Sequence, residues 1–298
     1  MRPAIRRALF VSGVLVAWAS VPAARPDRAG EILAQARQAI GGEARLKAVT
    51  SLSLKASERR TSRLVYVTPA GAERLDNREM QSDVEIQIAL PDRYVLTRTP
   101  VGGVGQHFSG ILGGRLIAEI SSMGEITPTL FIGGPDFVAQ VATRRVRELL
   151  RYVLAWLLMA PDQYNVQFSD AGEADTANGR ANVLDAKGAY DFAARLFFDK
   201  QTHHLLMLNY QEPPRQAPAA DAPAPQTRPP EKDEPLFRSI EGPPTSSRNR
   251  QIRLADHRPV DGIMLPYHMT IDEGSVQEWR VSRFKVNPAL NWKRFQRR

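Results

Sequence analysis

Histidines, serines and clustered carboxylates are the side chains here that could do chemistry, because the chain has no cysteine. The histidines are His107, His203, His204, His257 and His268. His203 and His204 are adjacent, so on a strand they face opposite ways and cannot hold one ion together. Zinc spacing is absent and there are no thiolates, so all five read as turn and surface histidines. A serine nucleophile needs a sharp strand-to-helix elbow, but no G-x-S-x-G occurs, and "HFSGILGG" lacks the flanking pattern. In "GGVGQHF" Phe108 stands where a dinucleotide fingerprint has its third glycine, and no phosphate-loop lysine follows. Glu73, Asp76 and Glu79 resemble the paired carboxylates of a glycoside hydrolase. They fall in a polar connection, however, and 32 acidic residues make such groupings common. The expectation is a protein with no catalytic residue, metal or cofactor, and not an enzyme.

The N-terminal "MRPAIRRALFVSGVLVAWASVPAARPDRAG" places Arg2, Arg6 and Arg7 before an apolar run that ends in small residues. This pattern predicts a secretory signal peptide over residues 1–24, followed by no stop-transfer segment. The general export route fits better than the twin-arginine one. Without cysteine the mature protein has neither disulfides nor a lipidated anchor, so a soluble periplasmic product is expected. The formal charge of +8 falls once the signal arginines leave. The remaining basic residues are scattered apart from the terminal "WKRFQRR", with no nucleic-acid motif. Weak attraction to anionic membrane surfaces is the most this balance supports.

Residues 28–48 carry Ile32, Leu33, Ala36 and Ile40 at helical spacing. A longer helix is predicted over 135–160, with Val141, Val146, Leu149, Leu150, Val153 and Leu154 in its apolar stripe. Arg144, Arg145, Arg147, Glu148 and Arg151 exclude a membrane span there. Most of the rest alternates as strands do. In "SDVEIQIALPDRYVLTRT" Val84, Ile86, Ile88, Tyr94 and Leu96 share one face across the Pro91-Asp92 break. Later runs put Leu196, Phe198, Leu206 and Leu208, then Tyr267, Met269 and Ile271, in the same role. Residues 212–247 are rich in proline and read as an extended, disordered insertion in a hairpin. The sum is a single α+β domain over 25–298, with about ten antiparallel strands in one curved sheet.

An antiparallel sheet can be wet on one face, but the apolar face must be covered. Two helices either pack on it without a gap or leave a hollow lined by Val84, Ile86, Ile88, Tyr94 and Leu96 opposite Val141, Leu149 and Val153. Periodicity leaves both open.

The order of elements adds a further indication. A helix runs into "LKAVTSLSLKASERR", then come "IALPDRYVLTR", "LFFDKQTHHLLMLNY", "HRPVDGIMLPYHMTI" and the closing "VSRFKVNPALNWKRF". This order resembles the LolA-like outer-membrane lipoprotein-sorting and carrier superfamily over most of the mature chain. The resemblance implies an unclosed antiparallel β-barrel of about ten to eleven strands wrapped over two or three helices. It also implies an apolar cavity for lipid or lipoprotein acyl chains, and so a carrier or chaperone in outer-membrane biogenesis. Pro91, Arg93 and Tyr94 match its strand turn and would be structural. Leu90 replaces the carriers' basic residue before that proline, and the long helix and Pro-rich insertion also depart from them. The alternative is an envelope sensor or scaffold, in which the same fold binds a membrane-associated protein partner. Nucleic acid is not expected as a partner.

Overall fold

The computed structural model describes residues 27–67, 73–102, 106–113, 115–122, 129–130, 135–176, 179–212, 236–239, 249–273 and 275–295. The expected signal peptide and most of the Pro-rich stretch lie outside them.

Helix α1 (Arg28–Ala39) starts where Asp27 accepts a hydrogen bond from Gly30 N at 3.2 Å, as an N-cap does. Gly41 and Gly42, both at positive φ, turn the chain into the short α2 (Glu43–Lys47). The first half of the sheet is β1 (Ser51–Val67), β2 (Glu73–Ala89), β3 (Arg93–Pro100), β4 (Gln106–Leu112), β5 (Arg115–Ser122) and β6 (Thr129–Leu130). Helix α3 (Pro135–Leu157) intervenes. The second half is β7 (Gln167–Thr176), β8 (Gly179–Gly188), β9 (Phe192–Asp199), β10 (Leu205–Gln211), β11 (Leu236–Ser239), β12 (Asn249–Val260), β13 (Ile263–Asp272) and β14 (Val276–Val286).

These strands form one 14-stranded sheet in the order β6-β5-β4-β3-β2-β1-β14-β13-β12-β10-β9-β8-β7, with β11 added to β1. Every pairing is antiparallel, and β6 and β7 end the order without pairing to each other. The architecture is the expected α+β half-barrel, an unclosed sheet wrapped over helices.

Three local features differ from the sequence reading. "SLSLKASERR" and the first six residues of "SRLVYVTP" belong to one 17-residue strand, because polar inward residues do not interrupt a ladder paired to its neighbours. Glu73, Asp76 and Glu79 lie in β2, opposite Val67, Leu64 and Thr61, and not in a connection. At ~3.3 Å per residue, about 20 Å of strand separates the outer two, too far for a carboxylate pair. Finally, Leu236–Ser239 of the Pro-rich stretch pair with Leu64–Val67.

The main core lies on the concave side, under α1 and α3. Two smaller clusters cover parts of the convex side, so that face is not uniformly wet. One is Ala89, Val95 and Phe108 beneath Phe295, which the C-terminal turn Trp292–Phe295 folds back over β3 and β4. The other is Ala181, Val183 and Phe197.

Candidate functional site: the concave face

Alternation sends every second side chain of each strand to the concave face. On β1 these are Leu52, Leu54 and Ala56, all buried, followed by Glu58 and Arg60. Beside them stand Ile88, Ile86 and Val84 of β2 and Phe284, Val281, Trp279 and Gln277 of β14. β3 contributes Tyr94 and Leu96, then Arg98. β10 and β12 contribute Leu208 and Ile252, then the facing pair Tyr210 and Arg250. Each strand therefore changes from apolar to polar toward the same end. α3 follows suit: Leu150, Val153, Leu154 and Leu157 are buried at its C-terminal end, with Arg144, Arg145, Arg147, Glu148 and Arg151 in the turns before. α1 and α2 close the apolar end, where Arg37 Nε donates to Leu158 O at 3.0 Å and Met264 N to Ile40 O at 2.8 Å.

The structure places Val84, Ile86, Ile88, Tyr94, Leu96, Leu149 and Val153 in one buried cluster. Val141, also buried, is not part of that cluster. An aromatic group that the sequence reading missed sits at its centre. Tyr152 stacks on Trp156 at 5.0 Å, and the rings of Tyr94 and Trp279 are each 6.0 Å from Tyr152. Tyr152 and Trp156 follow Leu149 and Val153 by three residues each, a helical spacing that could have pointed to them.

The interior between α3 and the sheet is occupied by these side chains. Two pockets among the described residues lie elsewhere. One, of about 330 Å³, is lined by Arg59, Thr61, Glu79, Val276 and Glu278; Arg59 and Thr61 project to the side opposite Glu58 and Arg60. The other, of about 450 Å³, is an open groove beside α1 and His203.

At the polar end Glu58 is only 2 % exposed and bonds Arg98, with Arg60 Nε at 3.5 Å. One orientation of the Gln277 amide completes this group, donating to Glu58 Oε1 at 3.1 Å and accepting from Arg60 at 3.0 Å. Burial alone would raise the Glu148 carboxyl, but Arg145 and Arg151 outweigh it and bring that group down to about 2. Arg151 also bonds Glu212 and lies 4.1 Å from the Tyr210 ring, whose hydroxyl donates to Glu273. Arg147 approaches Glu212 at 3.8 Å and reaches the exposed Asp191 at 3.8 Å. Among the described residues, Arg60, Arg98, Arg145, Arg147 and Arg151 thus share three largely buried carboxylates, Glu58, Glu148 and Glu212.

Tyr94, on β3 level with Leu52, and Trp279, on β14 opposite Glu58, each carry a fully buried donor, Oη and Nε1, without a hydrogen-bond partner. Burial pushes the Tyr94 hydroxyl well above its ordinary pKa, so it remains a donor.

All five histidines are part-exposed, and two of them meet. The His204 and His257 rings lie 4.7 Å apart near the apolar end, and His268 Nε2 is 3.1 Å from Glu278 Oε1. Among the described residues no three His, Asp or Glu side chains gather as ion ligands. Among them, too, no helix is long and apolar enough to cross a membrane.

No protein-family model and no curated protein matches this sequence. Solved structures do. The chain is similar in fold to a LolA superfamily protein. That structure, from Nitrosomonas europaea, is 14% identical, with a TM-score of 0.46 over 90% of this chain and 97% of that one. A DUF1329 family protein from Desulfovibrio piger is 12% identical, with a TM-score of 0.46 over 91% and 98% of the two chains. A putative outer membrane lipoprotein-sorting protein domain from Vibrio parahaemolyticus is 11% identical, with a TM-score of 0.36 over 90% and 96%.

Proposed function

We propose that the protein is an exported periplasmic carrier or chaperone that takes up the acyl chains of lipids or lipoproteins on its concave face. The observation that carries this is the open sheet whose apolar concave surface is covered, over much of its extent, by the single segment α3. Val84, Ile86, Ile88, Tyr94 and Leu96 are the sheet side of that surface, and Leu149 and Val153 the helix side. A guest lies where α3 now packs, so uptake displaces the helix outward. Removing a methylene from water is worth ~0.8 kcal/mol, so a chain of ~16 carbons supplies on the order of 10 kcal/mol of gross affinity. That is comparable to the burial of about five large side chains at ~2 kcal/mol each, fewer than the eight that α3 buries in the main cluster, so a long chain competes with part of the helix and not with all of it. The reading involves no bond making or breaking.

Brominated palmitate tests it. Trp156 and Trp279 are buried in the face, so a bound chain carrying a heavy-atom quencher reduces their fluorescence with saturation. Absence of saturable quenching, together with native mass spectra of envelope-purified protein showing no lipid, overturns the carrier reading.

A second reading, a scaffold for a membrane-associated partner, is favoured by β11, which shows that the distal end of β1 accepts an added strand. Deleting residues 213–235 separates the two: a carrier keeps its lipid affinity, whereas a loop-driven scaffold loses its partner.

A further inference from the structure

We propose that the C-terminal turn Trp292–Phe295, together with the convex ends of β3 and β4 beneath it, docks the protein onto an anionic bilayer surface. This goes beyond the carrier reading and does not depend on it, because it concerns the opposite face of the sheet.

The turn keeps one aromatic ring inside and leaves another outside. Asn291 Oδ1 accepts from Lys293 N at 3.2 Å and fixes its start. Phe295 is 2 % exposed, in the convex cluster with Ala89, Val95 and Phe108. Trp292, with its ring 5.7 Å from that of Phe295, is 52 % exposed. It is the largest apolar side chain exposed among the described residues. The Arg93 guanidinium lies 5.0 Å from the indole ring, a contact that steadies an exposed aromatic. Tyr94 faces inward, so Arg93 faces the convex side. Leu112 is the cross-strand partner of Arg93, shares that side and is also exposed. A lone exposed apolar residue needs no explanation, but here an indole and a leucine flank one guanidinium. Indole has an apolar body and a single N–H donor, which suits the boundary between acyl chains and headgroups.

The surroundings carry the charge that such a surface attracts. Lys293 is exposed beside Trp292, and the exposed Arg115 is the partner of Leu112 on β5. Farther across the convex face, exposed Lys55 of β1 stands opposite Arg283 of β14, and Lys285 of β14 opposite Ser53. The carboxylates described between the levels of Arg93 and Thr97 on this side are Asp92, 4.0 Å from Arg93, and Glu85, which accepts from Gln87. No acidic residue follows Glu278 in the sequence, whereas Arg294, Arg297 and Arg298 do. These cations are spread over four strands and the turn and are not gathered around one pocket. A plane of anionic headgroups meets that distribution better than a single ligand does.

The test uses the mature wild-type chain and two vesicles, pure phosphatidylcholine and one part phosphatidylglycerol in three parts phosphatidylcholine. Cosedimentation gives the affinity. Trp156 and Trp279 are buried, so a blue shift of the emission on mixing reports Trp292. The expected result is about tenfold stronger binding to the anionic vesicles, falling as salt screens the charges. The blue shift accompanies it. Trp292→Ala lowers that binding about tenfold without changing the melting temperature. The double variant Arg115→Gln/Lys293→Gln weakens the preference for anionic vesicles but keeps the blue shift of the bound fraction. Equal binding to the two vesicles overturns the proposal. Trp292→Ala binding as tightly as wild type also overturns it, since the vesicles would then be engaged elsewhere, for example by lipid uptake on the concave face. Retention by immobilised polyglutamate with no binding to either vesicle overturns it in favour of an acidic protein partner.

Discussion

Tyr94 shows how little the identity of a residue reveals before its neighbours are known. The alternation in "DRYVLTRT" marks it as inward, but nothing there says that its hydroxyl ends without a partner. A buried hydroxyl that bonds nothing is a liability of ~1–3 kcal/mol relative to an apolar replacement of the same shape. Tyr94→Phe is therefore expected to stabilise the ligand-free protein by about 1 kcal/mol in urea unfolding; a loss of stability instead would mean the hydroxyl has a partner. His257 carries a different lesson: it keeps part of its surface exposed, as the sequence reading expects, yet its ring lies against that of His204. Burial, reinforced by the neighbouring His204, lowers it from its ordinary 6.5 to about 4. The neutral ring is thus favoured in the folded state. Its stabilising contribution is complete above pH 6.5, declines as pH falls, and is gone by about pH 4. The unfolded chain takes up the proton first, so the loss is on the order of 2–3 kcal/mol. His257→Phe should flatten the difference in melting temperature between pH 7 and pH 5; an unchanged difference would show that the ring does not titrate there.

Among the elements, α3 and the long strands differ in how legible they were. Period-two patterning located the inward apolar positions of β1, β2, β3 and β13, because burial on one face leaves a regular signal. The same patterning hid the polar end of each strand. Glu58, Arg60 and Arg98 continue the inward series, yet as polar residues they look like the start of a loop or a solvated edge. The arginines of α3 seemed only to exclude a membrane span; the fold turns Arg151 onto Glu212, the residue after β10, just as Arg98 of β3 meets Glu58 of β1. No local pattern announces such pairings, since their partners are 40 to 61 residues away. The helix itself makes a graded prediction. Leu149 and Val153 belong to the main cluster and Val141 does not. Leu149→Ala should cost about 2–4 kcal/mol in urea unfolding, and Val141→Ala no more than about 1. Equal costs would mean that α3 is held along its whole length and not chiefly at its C-terminal end.

At the scale of the whole molecule, the sheet leaves its ends unjoined, and the helix rests on a surface it does not enclose. Closed barrels fix the volume of their interior through strand number and stagger, whereas an open sheet can flex without breaking a ladder. On the proposed carrier reading the concave face has two covers, its own helix and a hydrocarbon chain, which compete for the ground under part of α3. This competition makes affinity depend on chain length more steeply than transfer free energy alone predicts, because short chains cannot offset the helix they displace. Hydrogen exchange with mass spectrometry reads the exchange of covers directly. With saturating palmitoyl lipid, the amides of α3 from Val141 to Leu157 should exchange at least tenfold faster, while those of β1, β2 and β14 slow or stay constant. An octanoyl lipid at the same concentration should leave α3 as protected as in the free protein. Protection of helix and strands together under the long-chain lipid would mean that the guest binds outside the helical cover, and the concave face would then be a core and not a site.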